Sequence, residues 1–410
     1  MSAGLDHMAE TKKDGPGEKL AYGKNIWGVF YAYTVASSSM GLFAFVYSLV
    51  ILNLGGDPVA VGIVFSVSLI VGALAYIPGA ILVHKVRRKP IMILSIAIPA
   101  ISILILYFAT SWLHVMLAEA IWWFGTGIGG PAFITYITEA SPKERVMSSF
   151  GFVYAGPAVA YIIAPLAGAL VIYTWDMHTI FLFALVLRIS APLFMLFIDE
   201  QKPSTSDKST KEILGKLFEV DKKTIWTIVL FVLIAAVISM CQPYLPVFLA
   251  EVREFNDVQV SILGSVGYLG TAFLSITIGF LGDRKGGTIA VVTVISVFIA
   301  GCMLLIGLDP LTGILVSVFL MGIMWGAITV LDPIMAQRVP EDTRGGHLSI
   351  YLIAESLAMA PMPFIGGMLY DYVGPEYPFM VAAVAAAVLL VVVLIRRDMT
   401  SAVNGTNNSP

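Results

Sequence analysis

The sequence predicts an all-α polytopic membrane protein, with twelve transmembrane helices arranged as two pseudo-symmetric six-helix bundles. Three observations lead there. Of 410 residues, 58% are hydrophobic and only 12% charged, with a mean hydropathy of +0.89. Apolar runs of membrane-crossing length recur from end to end. The second half also echoes the first at an almost constant offset.

Composition excludes several classes at once. A soluble enzyme carries about a quarter of its residues charged. Lys and Arg number 24 against 27 Asp and Glu, so no basic excess is available to neutralise nucleic-acid phosphates. Cys241 and Cys302 both lie in apolar runs and make neither a disulfide framework nor a metal site. The five His residues show no paired-ligand spacing. P-loop, G-x-S-x-G and dinucleotide-binding patterns are missing, so no enzyme activity, cofactor or metal is expected.

A bilayer core of about 30 Å needs about 20 apolar residues per helix. Twelve such runs fall at 26–52, 58–83, 90–109, 112–137, 147–173, 179–198, 225–250, 258–281, 288–308, 310–331, 347–370 and 377–395. Continuous runs of this length are helices, because barrel strands are shorter and alternate. The first run is too long for a signal-peptide core and is read as a retained span. The expected organisation is a cytoplasmic tail over 1–25, a six-helix bundle over 26–198, a linker over 199–224, a second bundle over 225–395 and a tail over 396–410.

Charge sets the orientation. With both termini cytoplasmic, every Lys and Arg except Arg188 and Arg253 falls on the cytoplasmic side. The positive-inside rule then predicts a multi-pass protein of the cell membrane with both termini inside, its first partner the lipid bilayer.

The repeat is read from pairs offset by 199 or 200 residues: Trp27 with Trp226, Ser39-Met40 with Ser239-Met240, Asp57 with Asp257, Gly79 with Gly279, Arg145 with Arg344 and Gly168 with Gly367. Two parallel six-span repeats form a known transporter architecture, with the solute at their interface near the midplane.

The loop between spans 8 and 9 reads GFLGDRKGG. It resembles the signature loop of the major facilitator superfamily, G-x-L-x-D-R-x-G-R followed by a basic residue. Gly279, Leu281, Asp283, Arg284 and Gly286 match, and Gly287 stands where a basic residue is usual. The first-half copy, GAILVHKVRRKP, keeps Gly79, Leu82, Arg87, Arg88 and Lys89 but has Val83 for the Asp. The resemblance implies a cytoplasmic gating loop in which Asp283 locks one access state. Independently, Gly279 would let helices approach, Asp283 would face a helix N-terminus, and Gly286 would allow a tight reversal. The antiporter motif of span 5 is matched only in part, at Gly156-Pro157; Ala160-Tyr161 replaces its final pair of glycines.

Ionisable residues within spans are functional candidates by default. Glu355 lies near the midplane of span 11 with no charged neighbour on its own helix, and Glu119 lies in span 4; both are candidates for proton coupling. Arg188 in span 6 sits within about 3 Å of the depth of Glu119, counting 1.5 Å per residue, so the two are also a candidate ion pair. Asp332, at the inner end of span 10, reads as a solvated or capping group.

The resemblance assigns the cavity lining to spans 1, 4, 7 and 10. Those spans offer Tyr31, Thr34 and Ser38; Trp122 and Trp123; Ser239 and Gln242; and Met321, Met324 and Trp325. Pro243 and Pro246 should break span 7. An aromatic and Met-rich lining suits an amphipathic small molecule. The resulting expectation is a proton-coupled secondary transporter working by alternating access, with efflux of an amphipathic compound ahead of proton-coupled uptake of a sugar or organic acid. A transport-incompetent receptor or scaffold on the same fold is the reading from a different class.

Overall fold

A computed structural model describes residues 22–142, 145–200, 222–338 and 344–396. The expectations for residues 1–21, for 201–221 of the linker and for the tail beyond 396 lie outside the described residues.

Every predicted run is occupied by one helix or a broken pair, and no strand occurs among the described residues. The first half contains α1 (Lys24–Gly41), α2 (Tyr47–Asn53), α3 (Pro58–Lys85), α4 (Arg88–Tyr107), α5 (Trp112–Ala140), α6 (Val146–Thr174) and α7 (Thr179–Met195). The second contains α8 (Lys222–Ser239), α9 (Tyr244–Glu251), α10 (Asp257–Lys285), α11 (Gly287–Gly307), α12 (Leu311–Met321), α13 (Ile323–Arg338), α14 (Arg344–Met359), α15 (Pro361–Tyr372) and α16 (Tyr377–Ile395). Nine helices among the described residues are long and apolar enough to cross a membrane; α7 is apolar but shorter.

Local chemistry sets the boundaries. Asp57 caps α3 by accepting the Ala60 N–H at 2.6 Å, with Pro58 in the first turn. Asn256 and Gln259 form a reciprocal capping box at the start of α10. Gly286, at φ +94°, reverses the chain between α10 and α11, a conformation that a side chain would strain.

Four runs are discontinuous. The chain turns over 42–46 between α1 and α2, and over 240–243 between α8 and α9, where Pro243 opens the second piece. These two breaks lie at equivalent places in the repeat. Gly322 separates α12 from α13, and Ala360 with Pro361 separates α14 from α15.

Within the first half, α1 packs on α6 and α7, while α5 packs on α3 and α4. Between halves, α3 packs on α14 and α15, α6 on α10, and α2 on α9. The ends of helices that share a side with Lys24 are called the terminal side, and the opposite ends the far side. One hydrophobic core runs across both halves and joins Phe45, Tyr47 and Val61 to Tyr244, Phe248 and Leu263. A second core, containing Ile26, Ile91, Phe133 and Met195, belongs to the terminal side of the first half alone. The halves are therefore fused on the far side.

Two hydrogen bonds join the halves there. The Tyr244 hydroxyl lies 3.1 Å from the Pro58 carbonyl oxygen, and Ser261 Oγ donates to the Pro165 carbonyl at 2.8 Å. Gly62 and Gly367 allow the backbones of α3 and α15 to touch: a Cβ on either would come within 2.5 Å of a carbonyl oxygen across the interface.

Candidate functional site

The breaks in α1–α2 and α12–α13 deliver aromatic rings to the interface between the halves. Phe45 comes from the 42–46 turn and Trp325 from the first turn of α13; their rings lie 5.8 Å apart. Tyr268 of α10 lies 5.4 Å from Trp325 and 5.1 Å from Tyr161 of α6. The Tyr161 hydroxyl points at the Met40 sulfur, 3.3 Å away. The result is a cross-half cluster of flat apolar faces with phenol and indole tips, suited to a ring-bearing solute with polar substituents.

A second group lies closer to the terminal side. Glu355 of α14 is 4% exposed. The Tyr351 hydroxyl, one turn earlier, lies 3.2 Å from Glu355 Oε1 and 3.1 Å from Asp332 Oδ1 of α13. One phenol thus bridges two carboxylates. Tyr76 of α3 lies across the interface, within electrostatic range of both. Asp332 is half-buried and accepts a hydrogen bond, so it is not the solvated capping group that its position at a helix end suggested. The matching first-half position, Gly156, packs against Thr34 and Phe30.

The expected Glu119–Arg188 ion pair does not form. Arg188 Nε donates to the Ile96 carbonyl at 3.0 Å and Nη1 to the Ala36 carbonyl at 3.1 Å. Its guanidinium lies 4.4 Å over the Trp122 ring. Glu119 instead accepts from Trp123 Nε1 at 2.9 Å. Trp122, one turn along α5 from Glu119, is the side chain of that helix that meets the guanidinium.

The other sequence-predicted lining residues disperse. Tyr31 stacks on Trp27 and lies against Phe194 of α7, on the outside of its own half. Thr34 and Ser38 donate to carbonyls of their own helix, at 2.7 and 2.9 Å. Trp123 packs against Gly72 of α3. Ser239 is buried and donates to the Ala236 carbonyl at 2.8 Å. Gln242 is half-buried in the break before α9. Met321 is fully buried against Cys302 and Gly301, and Met324 is buried too. Only Trp325 of this set reaches the central cluster.

The gating-loop residues separate by half. In the second-half loop Asp283 and Arg284 are exposed, and Arg284 lies 4.1 Å over the Phe280 ring. Among the described residues nothing lies within 4 Å of a Cβ built on Gly279. A Cβ on Gly79 would meet the Ile128 carbonyl at 2.6 Å. Arg87 is exposed at the N-cap of α4. Arg88 is buried and pairs with Glu139 of α5 at 2.7 Å. Lys89 Nζ donates to the Leu196 and Ile198 carbonyls at 2.9 and 2.7 Å. In this arrangement Arg88 and Lys89 tie the start of α4 to α5 and to the chain just after α7. Asp199 is bonded to Lys24 at 2.6 Å; that hydrogen bond holds its carboxyl below the usual range.

Sequence reasoning missed Phe45, Tyr161, Tyr268, Tyr76 and Tyr351 as site residues. One signal was present: Tyr161 stands where the antiporter motif has Gly, and a bulky residue replacing Gly at a central helix marks a filled site.

The family model described as Major Facilitator Superfamily matches residues 29–338 and 255–409. The chain is 27% identical over 347 residues to the sialic acid transporter NanX of Escherichia coli, covering 79% of this chain and 83% of that protein. It is 20% identical over 297 residues to the proton-coupled antiporter flippase LtaA of Staphylococcus haemolyticus, covering 71% and 73%. The fold is similar to the crystal structure of nucleoside transporter NupG, with TM-score 0.73, 16% identity and coverage of 90% of this chain and 98% of that one. It is equally similar to a bacterial homologue of the human lysosomal transporter Spinster in an inward-facing, occupied conformation: TM-score 0.73, 15% identity, 91% and 96% covered. At these identities the two structures speak to fold alone.

Proposed function

The chain belongs to the Major Facilitator Superfamily of membrane transporters, and from that premise we propose that it takes up a small sugar or organic acid with protons, by alternating access. The observation that carries the coupling is the Asp332–Tyr351–Glu355 group. Two carboxylates bridged by one phenol repel when both are charged, and a shared proton removes that repulsion. Water reaching the group in one access state and not the other changes its proton affinity, as coupling requires.

Two observations favour uptake over efflux of an amphipathic compound. Met321 and Met324, which would have made the lining soft and apolar, are buried in the core that runs across both halves. The relative covering most of the chain transports sialic acid, an acidic sugar. The second reading, proton-coupled efflux, draws on Gly156-Pro157 in α6 and on the likeness to a flippase antiporter. The Lys and Arg distribution supports a terminal side that faces the cytoplasm. On that orientation the far-side contacts support reading this arrangement as inward-open.

The test uses full-length protein in proteoliposomes with N-acetylneuraminate as probe and an imposed pH gradient. Wild type should accumulate the probe, whereas Glu355→Gln should lose gradient-driven accumulation and keep solute exchange at equal pH. Wild-type accumulation by the variant would remove Glu355 from coupling.

A further inference from the structure

The chain's two cysteines lie far apart in the sequence and read there as no metal site, yet folding brings them together. Cys241 lies in the 240–243 break between α8 and α9, and Cys302 lies in α11. The Cys241 thiol stands beside the Cys302 thiol and donates to the Pro378 carbonyl at 3.3 Å. The Cys302 thiol meets the Met321 sulfur, 3.8 Å away. Met321 ends α12, just before the break at Gly322. It reaches Cys302 because Gly301 has no side chain: a Cβ there would stand 3.0 Å from the Met321 sulfur. Ser317 Oγ of α12 donates to the Gly301 carbonyl at 3.0 Å and fixes that approach. Cys241, Cys302 and Met321 are all fully buried.

Three sulfurs from three elements are a soft donor set. Thiolate and thioether ligands select Cu(I) over the hard ions that oxygen donors take. Metal–sulfur bonds of about 2.3 Å place three sulfurs round a trigonal ion roughly 4 Å apart. The Cys302–Met321 separation of 3.8 Å already has that spacing. Charge selects too, because an apolar core penalises a net charge. Cu(I) takes the place of the Cys302 proton: the sulfur–copper bond forms, the S–H bond breaks, the proton leaves to water, and the site stays neutral. A divalent ion would need both thiols to ionise, and the Cys241 proton is held by Pro378. A small apolar cavity of about 10 Å³, lined by Ile238 and Phe298 one turn before the cysteines, gives the side chains room to close on the ion.

We propose that Cys302, Met321 and Cys241 form a site for Cu(I). The site joins two of the breaks in the second half. The 240–243 break leads to Tyr244, which reaches the first half at Pro58, and the Gly322 break leads to Trp325 in the central cluster. A bound ion ties α11 to both turns of chain and restrains them.

The experiment uses full-length, detergent-purified protein under anaerobic conditions with ascorbate as reductant. The Cu(I)–bicinchoninate complex is titrated with protein, and the loss of its colour counts the ions withdrawn. Hydrogen exchange is then compared with and without Cu(I) at residues 238–246 and 318–326. Wild type should withdraw one ion more per chain than Cys302→Ser, and exchange in both segments should slow several-fold on loading. Cys241→Ser and Met321→Leu should weaken the affinity several-fold. Equal withdrawal by wild type and Cys302→Ser overturns the site, since ions held by other methionines and by histidines survive that change. Exchange that Cu(I) leaves unchanged overturns the restraint. If Cys302→Ser does not fold, Met321→Leu, which keeps the apolar volume, decides, and wild-type affinity in it overturns the site. Glu355→Gln should bind Cu(I) as wild type does, so loss of the coupling reading leaves this site standing.

Discussion

The hydroxyl of Tyr244 lies 3.1 Å from the carbonyl oxygen of Pro58, a bond from the second half of the molecule to the first. The same hydroxyl lies 2.5 Å from the carbonyl of Pro363. A phenol has one proton and two acceptors here, so it clasps α9, α3 and α15 on the far side. Tyr244→Phe should keep the ring stacking on Tyr370 and lose the clasp. A net hydrogen bond is worth about 1 kcal/mol, which corresponds to roughly a fivefold shift of population toward far-side opening. Spin-label distances between the loops at 54–57 and 373–376 would read it, and an unchanged distribution would show that the clasp is idle.

Gly62→Ala should act in the same direction and more strongly. Its Cβ would stand 2.5 Å from the Pro363 carbonyl oxygen and 2.8 Å from Phe364 Cα, both backbone atoms that cannot rotate away. The far side should then fail to close, seen as far-side loops held apart in the same measurement.

Arg188→Met should destabilise the first half by about 1–3 kcal/mol, because two charge-assisted hydrogen bonds and the cation–π stacking on Trp122 disappear with the guanidinium. Thermal melting in detergent would measure it. A destabilisation under about 0.5 kcal/mol, the range of a surface change, would show that the guanidinium is not structural.

Asp199 supplies a pH dependence. Its folded-state carboxyl is held low, first by the Lys24 hydrogen bond, so its contribution is present above the ordinary carboxylate value of about 3.9 and fades as pH falls below it. Acid should loosen the start of α1 from the end of α7. Hydrogen exchange at residues 22–28 should rise at low pH in wild type, and should be pH-insensitive in Asp199→Asn beyond the intrinsic rate.

Asp283→Asn should melt within about 0.5 kcal/mol of wild type, since Asp283 is exposed here. Transport should nevertheless fall, because the resemblance places this carboxylate in a lock made in the opposite access state. Wild-type transport rates would remove the lock.

The span pattern was legible because hydropathy adds along a chain: each predicted run needs only its own residues to be helical in lipid. The broken span 7 was legible for a similar reason, since Pro243 and Pro246 act on their own helix. Gly286 was readable as a reversal from its place between a charged helix end and the next apolar run. Gly79 and Gly279 were indistinguishable as repeat partners, and only packing showed that the first meets α5 while the second meets nothing among the described residues.

The sequence by itself determined what depends on position along the chain: the apolar helices and the family. Tertiary structure alone decided azimuth. Glu119 bonds Trp123 while Arg188 stacks on Trp122 and bonds two carbonyls, and Met321 and Trp325 sit four residues apart yet point to the core and the centre because the helix breaks at Gly322. Tyr351 finds Asp332 on another helix for the same reason. The rotation of a helix about its axis is set by close packing of both its neighbours' surfaces, and no single run of residues contains that information.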